Sequence, residues 1–348
     1  MTVPKMPQKY LKIDFHTHIL PENIPDFEKK FGYGGFIKLQ QNEKHDDKMD
    51  MIKDGKNFRT IECNCYSPTK RIEENELTGV NVQVLSTVPV MFSYWAKPCD
   101  ALEVSVFLND HIAEIARQHP KKYIALGTVP LQNVDYAIKE LIRCVKELGL
   151  AGVQIGTHVN GTNLGDPSFE PFWKAVEELD TVVFVHPWDM DQGPRNSKYW
   201  FPWLIGMPTE TTTSICSLMF SGIYDRYPNL KIVYAHGGGS FLGTLGRIIH
   251  GYECRPDLVA CDTVNHPLKT LRKLYFDSLV HDEDALKLML SKIDADRIVL
   301  GSDYPFPLGE QMPGQLVEGC DWISHEDKLK ILSQNALKLF NLDANRFI

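Results

Sequence analysis

No stretch of the 348-residue sequence approaches the ~18 consecutive apolar residues that a membrane span needs, so no membrane partner is expected. The chain also lacks any basic tract. Its formal net charge of −8 argues against a surface for phosphate backbones, and no nucleic-acid partner is expected either. An anionic ligand must therefore be met by individual cations. Cysteine occurs eight times but without a framework, and the closest pair, Cys63 and Cys65, does not have the spacing of a structural zinc site. The thiols read as reduced and the protein as cytoplasmic. The opening residues, MTVPKMPQKY, contain no apolar run of signal-peptide type, and residues 1–10 are expected to form a loose tail. Internal repeats and low-complexity segments are absent as well.

What the sequence does contain is an alternation. Short, continuously apolar, β-branched runs at residues 11–16, 80–87, 123–128, 152–157, 181–186, 231–236, 274–279 and 297–301 read as eight strands. Between them lie segments of helical period with recognisable starts: Ser67 and Pro68, Asn133, and Asp166 and Pro167. Gly79 and Gly149 stand where two of these helices should end. Eight strand-then-helix units predict an α/β fold, a distorted (β/α)8 TIM barrel forming a single domain over residues 1–348. An open doubly wound sheet would need a glycine-rich phosphate loop after its first strand, where His16, Thr17 and His18 stand instead. Residues 22–66 interrupt the alternation. Asp54 and Gly55 between apolar-rich arms signal a hairpin, so a small β insertion is expected after strand one, over the face where barrels carry their chemistry.

His16 and His18 raise the question of a metal. On a strand, residues two apart point to the same face, so both imidazoles can converge on one ion. Twelve histidines in 348 residues give roughly 0.4 such pairs by chance, so the pair alone is weak. Its weight comes from the company it keeps. His186 ends TVVFVH, His236 ends KIVYAH before three glycines, and Asp303 follows RIVLGS. All fall at expected strand C-termini, which ring the active site of a parallel barrel. Five ligands or acid–base groups from strands one, five, six and eight thus face one centre, with His281 after strand seven as a further candidate. His45, His111, His119, His250, His266 and His325 have no such placement.

Two histidines on strand one, a histidine ending each of strands five and six, and an aspartate ending strand eight resemble the signature of the amidohydrolase superfamily. The resemblance runs on to QNALKLFNL near the C-terminus. More narrowly, DFHTHILPE, FGYGGF, STVPVMFSYWAKP, GVQIGTHVN, FVHPWDM, AHGGG and SDYPFPLGE are similar to its metal-dependent decarboxylase branch. That resemblance implies one zinc ion per subunit held by His16, His18, His186 and Asp303. It gives His236 a proton-transfer role, with Asp303 assisting, and requires no organic cofactor. On donor type alone, manganese and iron stay open. Many superfamily members bridge two metals through a carboxylated lysine ending strand four. Here strand four reads AGVQIGTH, without lysine, and a single metal is expected.

The implied reaction is non-oxidative decarboxylation of a conjugated dicarboxylate on the kynurenine branch of tryptophan degradation. Arg59 and Arg247 would bind its carboxylates, Arg247 reaching across from the neighbouring subunit of a homodimer, with Lys53 a weaker partner. Trp203, Met190 and Phe306 would lie against the conjugated chain. Decarboxylation of a resorcylate-like aromatic acid, hydrolysis or hydration, and an inactive metal-binding scaffold are the alternatives. Ser302 stands where relatives carry threonine.

Overall fold

The computed structural model describes residues 10–347. Eight barrel strands, Ile13–Ile19, Val82–Thr87, Tyr123–Thr128, Gly152–Ile155, Val182–Val185, Lys231–Tyr234, Tyr275–Asp277 and Ile298–Val299, follow one another in chain order, each parallel to the next. Strand eight returns to strand one. Phe15 N donates to Leu300 O at 2.7 Å, His18 N donates to Tyr304 O at 2.8 Å, and Thr17 pairs with Tyr304. The expected (β/α)8 barrel is therefore what forms. Continuous burial along its strands is the reason they read as unbroken apolar runs rather than alternating ones.

The helix signals act as the sequence suggests. The Ser67 hydroxyl accepts from Lys70 N ahead of the helix Pro68–Thr78, which Gly79 ends in the left-handed conformation. Asn133 accepts from Tyr136 N ahead of Val134–Lys146. Asp166 caps a single turn, Pro167–Phe169, before the helix Glu170–Glu178 begins. A two-stranded hairpin, His158–Val159 with Thr162–Asn163, was not anticipated.

Two apolar layers hold the barrel. Phe15, Val84, Leu126, Phe184 and Val233 fill its interior, closed below by Phe340 stacked on Phe15 with ring centroids 5.2 Å apart. The outer layer packs the helices on the strands around buried Phe172 and Trp173.

Residues 37–62 form a three-stranded antiparallel sheet, Ile37–Gln41, Lys48–Lys53 and Lys56–Glu62. Asp54 and Gly55 make its tight turn with positive φ at both, the geometry that matches strand twist. Met51, Ile61, Phe36 and Ile37 seat this sheet against Leu20, Val88, Val90 and Met91 at the ends of strands one and two. The insertion thus overhangs the C-terminal mouth of the barrel. The expected loose tail at residues 1–10 lies outside the described residues except for Tyr10, which is buried and meets His325. All eight cysteines are free, and among the described residues no helix is long and apolar enough to cross a membrane.

Candidate active site

His16 and His18 leave strand one pointing into the barrel mouth, with both rings buried. His186, His236 and Asp303 follow directly on strands five, six and eight and meet them there. One donor atom each from His16, His186, His236 and Asp303 lies within 4.8 Å of the others. His18 completes the group. Its Nε2 is 3.2 Å from His16 Nε2 and 3.1 Å from Asp303 Oδ1, and His16 Nε2 is 3.4 Å from the same oxygen. Ligands placed 2.0–2.1 Å from a tetrahedral zinc are ~3.4 Å apart, so these edges match a coordination shell.

The proton inventory supports the same conclusion. His18 Nδ1 donates to Thr87 O at 3.0 Å and His186 Nδ1 to Pro187 O at 2.9 Å, while His16 Nδ1 donates to Asp277 Oδ2 at 2.6 Å. With the proton on Nδ1, each neutral ring turns a bare Nε2 lone pair toward the centre. Two facing lone pairs repel unless a cation lies between them. His186 Nε2, buried and without a hydrogen-bond partner, is a third. This donor set fits a divalent metal ion, with outer partners fixing each tautomer in the manner of metal-bound histidines.

Electrostatics point the same way. Burial alone would lower His16, but the Asp277 and Asp303 carboxylates outweigh it and raise the ring to about 10, so without a metal a proton takes the Nε2 lone pair, and a metal ion would displace it. Burial pushes His186 well below the usual histidine range and also lowers His18. For Asp303, burial is overridden by the surrounding histidines, which hold the carboxyl well below the usual range.

His236 is set slightly apart. Its Nε2 lies 3.9 Å from Asp303 Oδ2, the oxygen turned away from His18, and its Nδ1 is buried without a partner. His236 and Asp303 both have left-handed backbone, φ 56° and 59°, a conformation costing of order 1–3 kcal/mol for a non-glycine residue. Asp277 is what holds the first of these. Its Oδ2 accepts from His236 N at 2.9 Å and its Oδ1 from Gly237 N at 2.7 Å. Gly301 must remain glycine here, since an added Cβ would stand 2.9 Å from His16 Cβ and 2.7 Å from Asp277 Cβ.

Two adjoining cavities open beside the cluster and share Trp203, Met207, Asp303 and Leu308. One is lined by Arg59, Phe58, Met51, Trp188, Trp200 and Phe306, and reaches His18 and His186. The other, 290 Å³, reaches His236 and the exposed His281. A larger cavity of 760 Å³ lies at the opposite end of the barrel, by Tyr123 and Ala151, and none of the clustered histidines faces it. Size therefore does not identify the site; the donor cluster does.

Arg59 sits where the sequence suggests, on the overhanging sheet, its guanidinium 4.8 Å from the Phe306 ring centroid and 5.9 Å from that of Trp203. Burial lowers its pKa, opposed by Asp303. Among the described residues, Arg59 forms no ion pair. Lys53 lines neither cavity, because the sheet's register shifts between Met51 and Ile52 and resets the alternation that would carry it inward. Met190 is buried against Gly206 and does not line the cavities; Met207 and Met51 do. Arg247 is exposed on the helix Phe241–Cys254 and lines neither cavity.

Asp277 escapes the sequence reading because strand seven, expected over residues 274–279, ends at Asp277 in the structure, which places its carboxylate in the mouth. Trp188, two residues beyond His186, forms one wall as well.

The amidohydrolase family model matches residues 13–342. The 2-amino-3-carboxymuconate-6-semialdehyde decarboxylase of Dictyostelium discoideum is 50% identical over 97% of this chain and 94% of its own length. Its namesake from Caenorhabditis elegans is 40% identical over 97% and 96%. Among solved structures, a 5-carboxyvanillate decarboxylase from Novosphingobium aromaticivorans complexed with manganese superposes with a TM-score of 0.81. It covers 96% of this chain and 97% of its own at 22% identity, a likeness of fold.

Proposed function

This chain belongs to the amidohydrolase family, in its decarboxylase branch, and from that premise we propose that it converts 2-amino-3-carboxymuconate-6-semialdehyde to 2-aminomuconate-6-semialdehyde and CO2. In this reading the enzyme is a cytosolic homodimer on the kynurenine branch of tryptophan degradation, where it limits quinolinate formation. The observation that carries the reading is Arg59. It is a half-buried guanidinium between Phe306 and Trp203, on the rim of a metal-ligand cluster, with no carboxylate of its own among the described residues. A fork of that kind binds a substrate carboxylate with two parallel bonds.

His16, His18, His186 and Asp303 would hold one zinc ion, a metal that neutral imidazoles with a single carboxylate suit. Bound there, it supplies a fixed positive charge and Lewis acidity. Arg59 anchors one carboxylate, and the flat faces of Trp203 and Phe306 keep the conjugated chain planar between them. Planarity matters because the bond to the departing carboxylate must stand across the conjugated system. When that bond breaks, CO2 leaves and the electron pair passes into the conjugated chain, so no organic cofactor is needed. The carbon left behind takes a proton delivered from the side of His236 Nε2. Asp303 Oδ2, 3.9 Å away, assists that transfer. Arg247, exposed on its helix, serves the site of a second copy and binds the other carboxylate.

The test is CO2 release from freshly generated substrate by zinc-loaded protein, corrected for spontaneous cyclisation to quinolinate. Metal-dependent release, abolished by chelation, is expected. Absence of release, with turnover of 2,6-dihydroxybenzoate instead, would replace this reading by that of an aromatic-acid decarboxylase.

A further inference from the structure

Arg71 stands in the helix Pro68–Thr78, outside the barrel, yet its side chain is wholly buried. A guanidinium keeps its charge in any protein environment. The acidic residues Glu73 and Glu74 of its own helix pair with Lys70, and among the described residues Arg71 forms no ion pair. Burying such a cation is strongly unfavourable, and an apolar side chain of similar volume would serve pure packing better. The contacts it makes are specific. Nη1 donates to the carbonyl of His18 at 2.6 Å and to that of Asn64 at 3.2 Å, while Nε donates to Gln83 Oε1 at 3.0 Å. The guanidinium carbon lies 4.7 Å from the centroid of the Tyr304 ring.

These partners belong to four separate segments. His18 lies on strand one, Gln83 on strand two, and Tyr304 directly follows Asp303 beyond strand eight. Asn64 lies at the exit of the overhanging sheet, five residues after Arg59. The Tyr304 hydroxyl is pinned in turn by Glu74, to which it donates at 2.6 Å. Near this point strands one and eight are also joined by backbone bonds, His18 N to Tyr304 O and Asp303 N to His16 O, both at 2.8 Å, and by Ser302, whose N–H and hydroxyl donate to Asp14; none of these holds the Tyr304 ring. The strained backbone of Asp303 sits between them.

We propose that Arg71 is a positioning residue of the metal centre: by clamping the His18 carbonyl and the Tyr304 ring together, it fixes the backbone from which the His18 and Asp303 donors reach one ion. The proposal rests on the metal-centre reading. It accounts for a buried cation without an acid partner, and for its planar fork, since an ammonium cannot reach two carbonyls and an amide while lying on a ring.

The test uses the full-length chain loaded with cobalt, whose visible absorption reports ligand geometry. Affinity is measured by chelator competition and folding by thermal unfolding. Arg71→Met should lose about 10- to 100-fold in metal affinity, the usual effect of removing an outer partner of a ligand, and should change the cobalt spectrum. Arg71→Lys should recover part of the affinity. A folded Arg71→Met protein with wild-type affinity and spectrum overturns the proposal, leaving the residue a structural tie. If Arg71→Met does not fold, Gln83→Leu decides, since it removes only the Nε partner. A shifted spectrum then supports the proposal and an unchanged one overturns it. Wild-type protein that takes up no cobalt overturns the metal-centre reading itself, a distinct result.

Discussion

Replacing Asp277 by asparagine changes one oxygen to an amide nitrogen, and at this position that exchange should disable the metal centre. The carboxylate accepts four N–H donors. Oδ2 takes His16 Nδ1 at 2.6 Å and His236 N at 2.9 Å; Oδ1 takes Gly237 N at 2.7 Å and Leu279 N at 3.2 Å. An asparagine has one accepting oxygen, so whichever way it is turned, its NH2 group faces two of these donors. If the oxygen serves the two backbone groups on the Oδ1 side, the NH2 meets His16. The cheapest repair is for His16 to move its proton to Nε2, which abolishes the lone pair aimed at the metal. If the oxygen serves His16 instead, Gly237 N and Leu279 N lose their acceptor at a cost of about 1–3 kcal/mol each, and the left-handed turn at His236 loosens. Either way, metal affinity should fall by about 10- to 100-fold, measured by chelator competition.

Acid unfolding gives an independent reading of the same residue. Burial opposes ionisation of Asp277, but the bond from His16 and the nearby His16 and His236 hold its pKa below the usual carboxylate value. A depressed carboxylate stabilises the fold above its unfolded pKa of 3.8 and loses that contribution as pH falls through the folded value. The variant's stability should therefore fall less steeply than wild type below pH 3.8. Wild-type metal affinity together with a wild-type acid limb would refute the reasoning.

His236→Ala should keep the metal and lose turnover, whereas His186→Ala should lose both; metal content and CO2 release measured on the same samples separate them. If Arg247 serves a second copy, mixing inactive Arg59→Ala with inactive Arg247→Ala subunits should restore up to about a quarter of wild-type activity. Each mixed dimer then carries one complete site, and no recovery after verified subunit exchange refutes the cross-subunit assignment. His111, whose pKa burial lowers to about 4 and whose Nδ1 has no partner, makes an acid-sensitive contribution away from the site. Between an unfolded value of 6.5 and about 4 the unfolded chain binds the extra proton, so stability is complete above pH 6.5 and falls by up to about 3 kcal/mol as the pH drops to 4. His111→Leu should flatten that limb in urea titrations across this range, and an unchanged slope would remove the histidine as its cause.

The barrel was legible because its signals are local. Strand runs, the Ser67 and Asn133 caps and the terminal glycines each depend on a few neighbouring residues, and their order alone gives the topology. The clustered histidines and Asp303 were legible for a related reason: in a parallel barrel, the end of a strand is already an address in space. What escaped depends on registers and close approaches. Lys53 stands two residues beyond Met51, which lines the cavity, but a shift in strand register lies between them. A similar irregularity between Asp14 and Thr17 lets Phe15 and His16, neighbours that should face opposite ways, both meet Phe184, at 5.4 and 4.9 Å. Met190 and Met207 stand at the two ends of the long segment that follows strand five, and only the path of that segment decides which of them reaches the cavity.

The residues hardest to see were the buried charges behind the ligands. Asp14, Arg71 and Asp277 are each fully buried, and none reads as functional from its neighbours in sequence. Burial raises Asp14 to about 7 even though Ser302 donates to it, so its carboxyl is held at a net cost. Asp277 is paid for by four donors, and Arg71 by carbonyls and a ring. Well-packed apolar side chains in their places would stabilise the fold at least as well. Each of them, however, grips a segment that carries a ligand: Asp14 accepts from the backbone of both His16 and Ser302, Arg71 bonds the His18 carbonyl, and Asp277 bonds the His16 ring and the His236 backbone. Two of the gripped segments end in left-handed residues that would otherwise relax. A layer of buried carboxylates and a guanidinium under a mouth of imidazoles is what a centre requires if its donors must stay about 3 Å apart before a metal ion arrives to draw them together.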